Sequence, residues 1–387
     1  MRIGVDGRVL RDDFPGIGRY VLNLLLAMQP QLEGDTLVVL YDPEIKTRYD
    51  SKALEGQPGV EMVPFRLPLR ALSQQWKLPA LLRSLELDVF HSPYYLTAYR
   101  GLPCPLVLSL FDLIPIVYPP SMPSPASRLA YRVAVGLALR EASQVVVCSQ
   151  ATRSDLARIF GTPPERVAVV PGAAAPVFTP APDDVARRTR ELHRVPPRYI
   201  LHVGVNKPHK NLETLLDAYH RYYTRTPAQN RASLVLVGEH DPRYVTPRRW
   251  AAQLGLARSV LALGSIPDED LRALYTSAAC VAFPSLYEGF GLPVIEAMAC
   301  GTPVVASSAS SLPEVAGDAA ILLDPNDTAA WTRIIPRLLE DSTLQASLRS
   351  RGLARAREFS WEAAARATLE VYRAVVESAD SAPRESR

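Results

Sequence analysis

The chain reads as an α/β protein made of two Rossmann-like halves with a cleft between them. Three observations predict this. Short Val/Ile/Leu-rich runs alternate with helical stretches nearly throughout, the pattern of parallel sheets joined by crossover helices. The periodicity breaks once, in the Pro- and Ala-rich stretch Pro171–Pro182, which reads as a linker. A length of 387 residues also exceeds what one core usually supports.

In the first half, strands are expected near Arg2–Val5, Leu37–Tyr41, Asp88–His91, Leu106–Ser109, Gln144–Cys148 and Val167–Val170. Helices are expected near Gly18–Met28, Leu129–Arg140 and Ala151–Ile159. The second half restarts at Tyr199–Val203. It continues through Leu234–Val237, Val260–Leu263, Val281–Phe283, Val304–Ala306 and Ile321–Leu323, each run followed by a helix-like segment. Two or three helices close the chain, the last near Trp361–Val376. A tail from about Ser378 has the composition of a disordered segment.

Bulk composition narrows the class. With 48% hydrophobic and 21% charged residues the chain is an ordinary globular one, and a net charge of +3 gives no nucleic-acid coat. No run approaches the roughly 20 apolar residues that span a bilayer. Met1-Arg2-Ile3-Gly4-Val5-Asp6 reads as an immediate strand rather than a signal peptide. Cys104, Cys148, Cys280 and Cys300 show no metal-ligand spacing, so free thiols in a reducing cytoplasm are expected. P-loop, H-E-x-x-H and G-x-S-x-G patterns are missing from the sequence.

The richest segment runs from Glu288 to Glu296, with Gly289-Phe290-Gly291-Leu292-Pro293-Val294-Ile295 between the two carboxylates. It follows the strand Cys280–Phe283 and precedes Gly301–Ala306, outlining strand, turn, short helix and strand. In parallel sheets ligands bind at such strand-to-helix turns, where free N–H groups and the helix dipole attract phosphates. Glycines allow close backbone approach, and Pro293 suits a first helical turn. Carboxylates beside phosphates would repel them, so Glu288 and Glu296 more plausibly accept hydrogen bonds from hydroxyls. Phosphates and many hydroxyls together describe a nucleotide sugar.

A second turn completes this reading. Gly204-Val205-Asn206-Lys207-Pro208-His209-Lys210-Asn211 follows the strand Tyr199–Val203, with Asn211 as an N-cap. Beyond Lys77 the lysines are Lys207 and Lys210 alone, and both fall in this loop. Lys210 is placed to neutralise a pyrophosphate leaving group; the alternative is that both are solvated loop charges. Gly16-Ile17-Gly18-Arg19-Tyr20 opens an amphipathic helix. It is weak as a dinucleotide fingerprint, and better as a second phosphate-contacting turn facing the other domain.

Other candidates carry two readings each. Asp112, in Phe111-Asp112-Leu113-Ile114-Pro115 after a strand, either orients an acceptor sugar or holds a turn. In His91-Ser92-Pro93-Tyr94-Tyr95 the aromatics could stack on a sugar face, and His91 is alternatively a satisfied core histidine. Asp268-Glu269-Asp270 could be a metal-binding D-x-D, but these residues lead into a helix, where capping and dipole compensation explain them more simply. Asp12-Asp13 is read in the same way, and Glu314 reads as a helix-start residue.

Taken together, these segments resemble retaining glycosyltransferases of family 4, with the GT-B fold. Phe283–Val305 followed by Leu312-Pro313-Glu314-Val315 is similar to the family signature with its E-x7-E pair. The turn Gly204–Asn211, the Gly-Ile-Gly turn and the Asp-Leu-Ile-Pro segment follow in the family's order. The resemblance implies an acceptor-binding domain over 1–175, a donor-binding domain over 176–357, and a terminal helix in 358–387 returning to the first.

By the same resemblance Glu296 would hold ribose hydroxyls and Glu288 the transferred sugar. Lys210, with His209 beside it, would meet the diphosphate, and amides of Gly289, Phe290, Gly291 and Leu292 would contact sugar and phosphates. Gly264, Ser265 and Ile266 would lie by the base, Gly16 and Gly18 by the donor, and His91, Tyr94 and Phe111 by the acceptor. Asp112 would sit at the reacting centre. No metal or other cofactor is implied, only a GDP- or UDP-linked donor, and configuration at the anomeric carbon would be kept.

Two departures stand out against the family. His209 replaces a frequent arginine, and Phe111 a frequent histidine. The implied activity is hexose transfer to a sugar or lipid-linked acceptor in polysaccharide or glycolipid assembly, with mannose from a GDP donor favoured. The apolar-basic stretch Trp76–Arg83 would allow peripheral contact with the cytoplasmic membrane face; its alternative is a core-facing helix. A nucleotide-sugar epimerase and a non-catalytic sugar-nucleotide sensor remain as other readings of the same site.

Overall fold

The structure is a computed structural model. It describes residues 1–381 apart from Asp13, Lys46, Arg48 and Asp50, so Asp13 of the acidic pair and the tail beyond Ser381 lie outside the described residues. The chain divides into two compact units. The first contains Met1–Val117, Met122–Gly172 and the terminal segment from Ser360; the second contains Tyr118–Ser121 and Ala173–Phe359.

The first unit begins with β1 (Arg2–Asp6), α1 (Pro15–Met28), β2 (Thr36–Tyr41), β3 (Val60–Pro64), α2 (Gln74–Leu85), β4 (Val89–Ser92) and β5 (Leu106–Ser109). It continues through α3 (Ile114–Val117), α4 (Pro125–Glu141), β6 (Ala142–Val147), α5 (Gln150–Phe160) and β7 (Val167–Val169). All seven strands pair parallel in the order β3-β2-β1-β4-β5-β6-β7. Central strands are buried along their length because helices cover both faces, which is why they read as unbroken apolar runs. Leu78 and Leu82 of α2 share one core with Tyr131 and Val135 of α4.

The second unit contains α6 (Asp183–Leu192), β8 (Tyr199–Val203), α7 (Leu212–Arg225), β9 (Ser233–Val237), α8 (Pro247–Gln253), β10 (Val260–Gly264) and α9 (Asp268–Ser277). Then come β11 (Cys280–Phe283), α10 (Leu292–Ala299), β12 (Val304–Ser307), α11 (Leu312–Ala316), β13 (Ile321–Leu323), α12 (Thr328–Glu340) and α13 (Ser342–Ala356). Its six strands are also parallel, in the order β10-β9-β8-β11-β12-β13. The strand order reverses between β8 and β11. At such a switch point the crossovers leave in opposite directions and open a ligand crevice at the carboxyl ends of the two strands.

The last helix, α14 (Trp361–Ser381), belongs to the first unit. Its buried residues Trp361, Ala364, Ala365, Thr368, Leu369, Tyr372 and Val375 recur at helical spacing and form one apolar stripe. Trp361 packs edge-on to Tyr20 of α1, with ring centroids 5.2 Å apart.

Three elements differ from expectation. β3 is not anticipated because it is an edge strand, half covered, and Glu61 interrupts its apolar run. α6 is not anticipated because it is so charged that its buried face is narrow, formed by Ala186 and Thr189. The helix of Trp361 runs to Ser381 rather than ending before a tail at Ser378. Ser378 and Ser381 bond back to the carbonyls of Ala374 and Glu377, which satisfies their hydroxyls inside the helix.

Candidate active site

The two turns that the sequence singles out leave adjacent strands, β8 and β11, at the switch point of the second unit. From the first turn, Lys210 reaches across so that its Nζ donates to Glu288 Oε1 at 2.7 Å, and both side chains are largely buried. Backbone bonding joins the same turns, since Leu286 N–H donates to the carbonyl of His209 at 2.8 Å. Burial pushes the Glu288 carboxyl up, but the Lys210 ammonium outweighs it. The group therefore sits below its ordinary value and is ionised at neutral pH.

Asn211 stands at the N-cap of α7, but its expected cap bond is replaced. Its φ of +54° places it in the left-handed region, and its side chain instead staples neighbouring loops. Nδ2 donates to the carbonyls of Pro284 and Pro325 at 3.1 and 2.8 Å, while Oδ1 accepts from Thr214. The Lys210 turn is thereby tied to the ends of β11 and β13.

Two buried histidines line this pair. Burial, with Lys210 nearby, lowers His209 to about 4, and its Nδ1 has no partner among the described residues. His202, in β8, was not singled out by the sequence. Its ring stacks on Phe283, Nδ1 bonds the Ala282 carbonyl at 2.9 Å, and burial lowers it to about 4. Because Nδ1 faces a carbonyl, it carries the proton and Nε2 is an acceptor; that Nε2 also lacks a partner among the described residues.

The turn after Glu288 is held from below. Glu288 N–H donates to Ser310 Oγ at 2.8 Å, and Ser311 Oγ donates to the carbonyls of Glu288 and Phe290 at 3.0 and 2.8 Å. Gly291 caps α10 with φ +112°, and a Cβ there would lie 2.7 Å from Leu312 Cδ2, so only glycine fits. Leu292 and Pro293 then begin α10, whose first N–H groups have no helical partners. The Phe290 ring packs edge-on against Phe359, so its backbone rather than its side chain serves the turn.

Glu296 lies further along α10, buried, and accepts from Tyr275 Oη at 3.2 Å. Gly264, with φ +75°, ends β10 at the outer edge of the same sheet and leads through Ser265 and Ile266 into α9. Asp268, Glu269 and Asp270 occupy the first turn of α9, where they complement the helix dipole. Among the described residues no group of three His, Cys, Asp or Glu side chains could hold a metal ion.

The first-unit candidates separate into surface and interior. His91 is corrected to a structural role: it is buried, Nδ1 meets Tyr372 Oη at 2.6 Å, and Nε2 meets Ser109 Oγ at 2.8 Å. Burial lowers it to about 3, so it stays neutral and has no nitrogen left for a sugar. Tyr94 is half-buried between Phe14 and Tyr95, and Phe111 lies edge-on to Tyr20. Asp112 Oδ1 accepts from Ile114 N–H at 2.9 Å, a bond that shapes the turn into α3. Gly16 and Gly18 lie inside the first turn of α1 rather than in an open loop. Gly16 is exposed, whereas a Cβ at Gly18 would strike the Tyr49 ring at 2.7 Å.

The chain matches two family descriptions, "Glycosyltransferase Family 4" over residues 15–177 and "Glycosyl transferases group 1" over 186–355. It is 32% identical over 380 residues to O-antigen chain mannosyltransferase B of Escherichia coli, covering 92% of this chain and 96% of that one. Sucrose-phosphate synthase of Thermosynechococcus elongatus superposes with a TM-score of 0.77 at 23% identity, over 98% of this chain and all (100%) of that one. HepE of Anabaena, solved with UDP and glucose, superposes with a TM-score of 0.74 at 24% identity, over 99% and 100%. These structures share the GT-B fold. By both family matches and by a relative similar along nearly its full length, the chain is a glycosyltransferase that belongs to glycosyltransferase family 4.

Proposed function

We propose that this enzyme transfers a hexose, favouring mannose from GDP-mannose, to a sugar or lipid-linked sugar acceptor in surface-polysaccharide or glycolipid assembly. The observation that carries this reading is the Lys210–Glu288 pair at the β8/β11 switch point, beside the N-terminus of α10. Lys210 would neutralise the departing diphosphate together with the α10 amides, supplying without a metal the positive charge that phosphate departure demands. Released from Lys210, Glu288 would accept from hydroxyls of the transferred sugar, and Glu296 from the ribose.

In this reading configuration is retained by front-face attack. The bond between the anomeric carbon and the phosphate oxygen breaks, the acceptor oxygen bonds the same carbon, and the acceptor proton passes to the leaving phosphate. No separate protein base is then required. Mannose is favoured by the similarity to the O-antigen chain mannosyltransferase. UDP-glucose is the alternative donor, because HepE carries UDP and glucose on this fold.

Thermal stabilisation by a panel of GDP- and UDP-hexoses, followed by acceptor-free hydrolysis, tests the donor. Stabilisation by neither nucleotide class overturns the reading. We also propose that the first unit meets the membrane surface when the acceptor is lipid-linked. Leu72 and Trp76 are 84% and 62% exposed beside Lys77 and Arg83. Co-sedimentation with anionic liposomes, reduced in Trp76→Ala, is expected; no co-sedimentation of the wild type removes this proposal.

A further inference from the structure

The loop between β12 and α11 carries an unusual backbone. Five described residues other than glycine have a positive φ: Glu33, Glu86, Arg194, Asn211 and Ser310. The first three sit in turns just after helical segments, where such geometry ends a helix. Asn211 likewise ends a one-turn helical segment, Pro208–Lys210, whereas Ser310 follows a strand and lies against the Glu288 turn. Asparagine tolerates this region, but serine at φ +51° is strained, and such strain persists where surrounding contacts impose it.

What imposes it is a set of bonds to the Glu288 turn. In this conformation Ser310 Oγ accepts the Glu288 N–H at 2.8 Å, and the adjacent, fully buried Ser311 gives its hydroxyl proton to the Glu288 and Phe290 carbonyls. Two neighbouring hydroxyls thus meet three backbone groups of one short turn, Ser311 sharing its single proton between two carbonyls. The loop itself is anchored, since Ser308 N–H donates to the Leu323 carbonyl at 2.7 Å and Ala309 N–H to Ser307 Oγ at 3.0 Å.

We propose that Ser310 and Ser311 are positioning residues that fix the Glu288–Phe290 turn, and through it the carboxylate that selects the donor sugar's hydroxyls. This rests on the donor-binding reading of Glu288. Neither serine is a catalytic residue; each acts through Glu288 and the amides that follow it. A displacement of this turn by about 1 Å would cost on the order of 100-fold in rate.

The test uses the full-length enzyme, the GDP- or UDP-hexose it turns over fastest, and the monodeoxy analogues of that donor. Ser310→Ala and Ser311→Ala should lower kcat/KM about 10- to 100-fold on the full donor and shrink its preference over one deoxy analogue, as Glu288→Gln does. A merely structural role would slow all donors equally. Ser310→Asn should rescue, because asparagine accepts φ +51° and its amide oxygen can take the Glu288 N–H. Ser310→Gly should relieve strain without rescue.

Full activity of Ser310→Gly and Ser311→Ala beside a crippled Glu288→Gln overturns this proposal alone. A fully active Glu288→Gln overturns the donor reading, and this proposal with it. Melting curves of each variant separate misplacement from unfolding, and Ser310→Asn supplies a folded comparison if the alanine variants unfold.

Discussion

Tyr275 on α9 gives its hydroxyl proton to Glu296 Oε2 on α10 across 3.2 Å, and both side chains are buried. The carboxylate proposed to hold the ribose is therefore oriented by a neighbour before any donor arrives. Tyr275→Phe keeps the ring, which also packs edge-on against Phe178, and removes the hydroxyl that makes this bond. We expect KM for the donor to rise at least about 10-fold, the effect of one hydrogen bond to a charged group, with kcat within 2-fold. Steady-state kinetics at saturating acceptor check it, and an unchanged KM would refute the arrangement.

Lys210→Ala should lower kcat by at least about 100-fold, the scale of removing one preorganised charge-stabilising group. It should also destabilise the second unit by on the order of 3–5 kcal/mol, because Glu288 is left buried without its cation. Adding Glu288→Gln to that variant should restore much of the melting temperature and none of the activity. A double variant no more stable than Lys210→Ala would show that the pair does not couple.

His91, His202 and His209 are all held below the ordinary histidine value, at about 3, 4 and 4, by burial. Between about pH 6.5 and 4 the unfolded chain therefore binds protons that the folded chain does not, so stability falls as pH falls through this window. A shift from 6.5 to about 4 corresponds to about 3 kcal/mol for one histidine at full protonation. Melting temperatures should drop steeply below pH 6, while the activity profile between pH 6 and 8 shows no limb from His202 or His209. A kinetic pKa near 6.5 that disappears in His209→Asn would contradict the assignment.

His91→Leu strands the Tyr372 and Ser109 hydroxyls in the interior of the first unit. We expect a loss of about 2 kcal/mol from the unpaired groups, with activity per folded molecule within 2-fold of wild type. A large rise in KM for the acceptor at unchanged stability would return His91 to the acceptor site.

Most of the sheet framework is legible because parallel strands buried on both faces read as apolar runs, and β5 matches its expected span residue for residue. The Lys210 and Glu288 turns are legible because glycine, proline and rare lysine mark them locally. Ser310, Ser311, Tyr275 and His202 are not, since each acts through a contact with a distant segment and none is an unusual residue type. Ser310 comes nearest to a readable signal, yet its strain appears only as a dihedral angle. His91 misleads for the opposite reason: its place after a strand suits a site, but its partner Tyr372 lies 281 residues on.

The placement of α14 bears on the order of assembly. The first unit takes its last helix from the end of the chain, after the whole second unit. During synthesis Tyr20 and His91 must wait for Trp361 and Tyr372, whereas the second unit has all its strands by Leu323. The earlier-made half is thus the later-finished one. A chain stopped at Phe359 would leave the α1 face and the His91 ring without their covers, a candidate for chaperone capture rather than for half an enzyme.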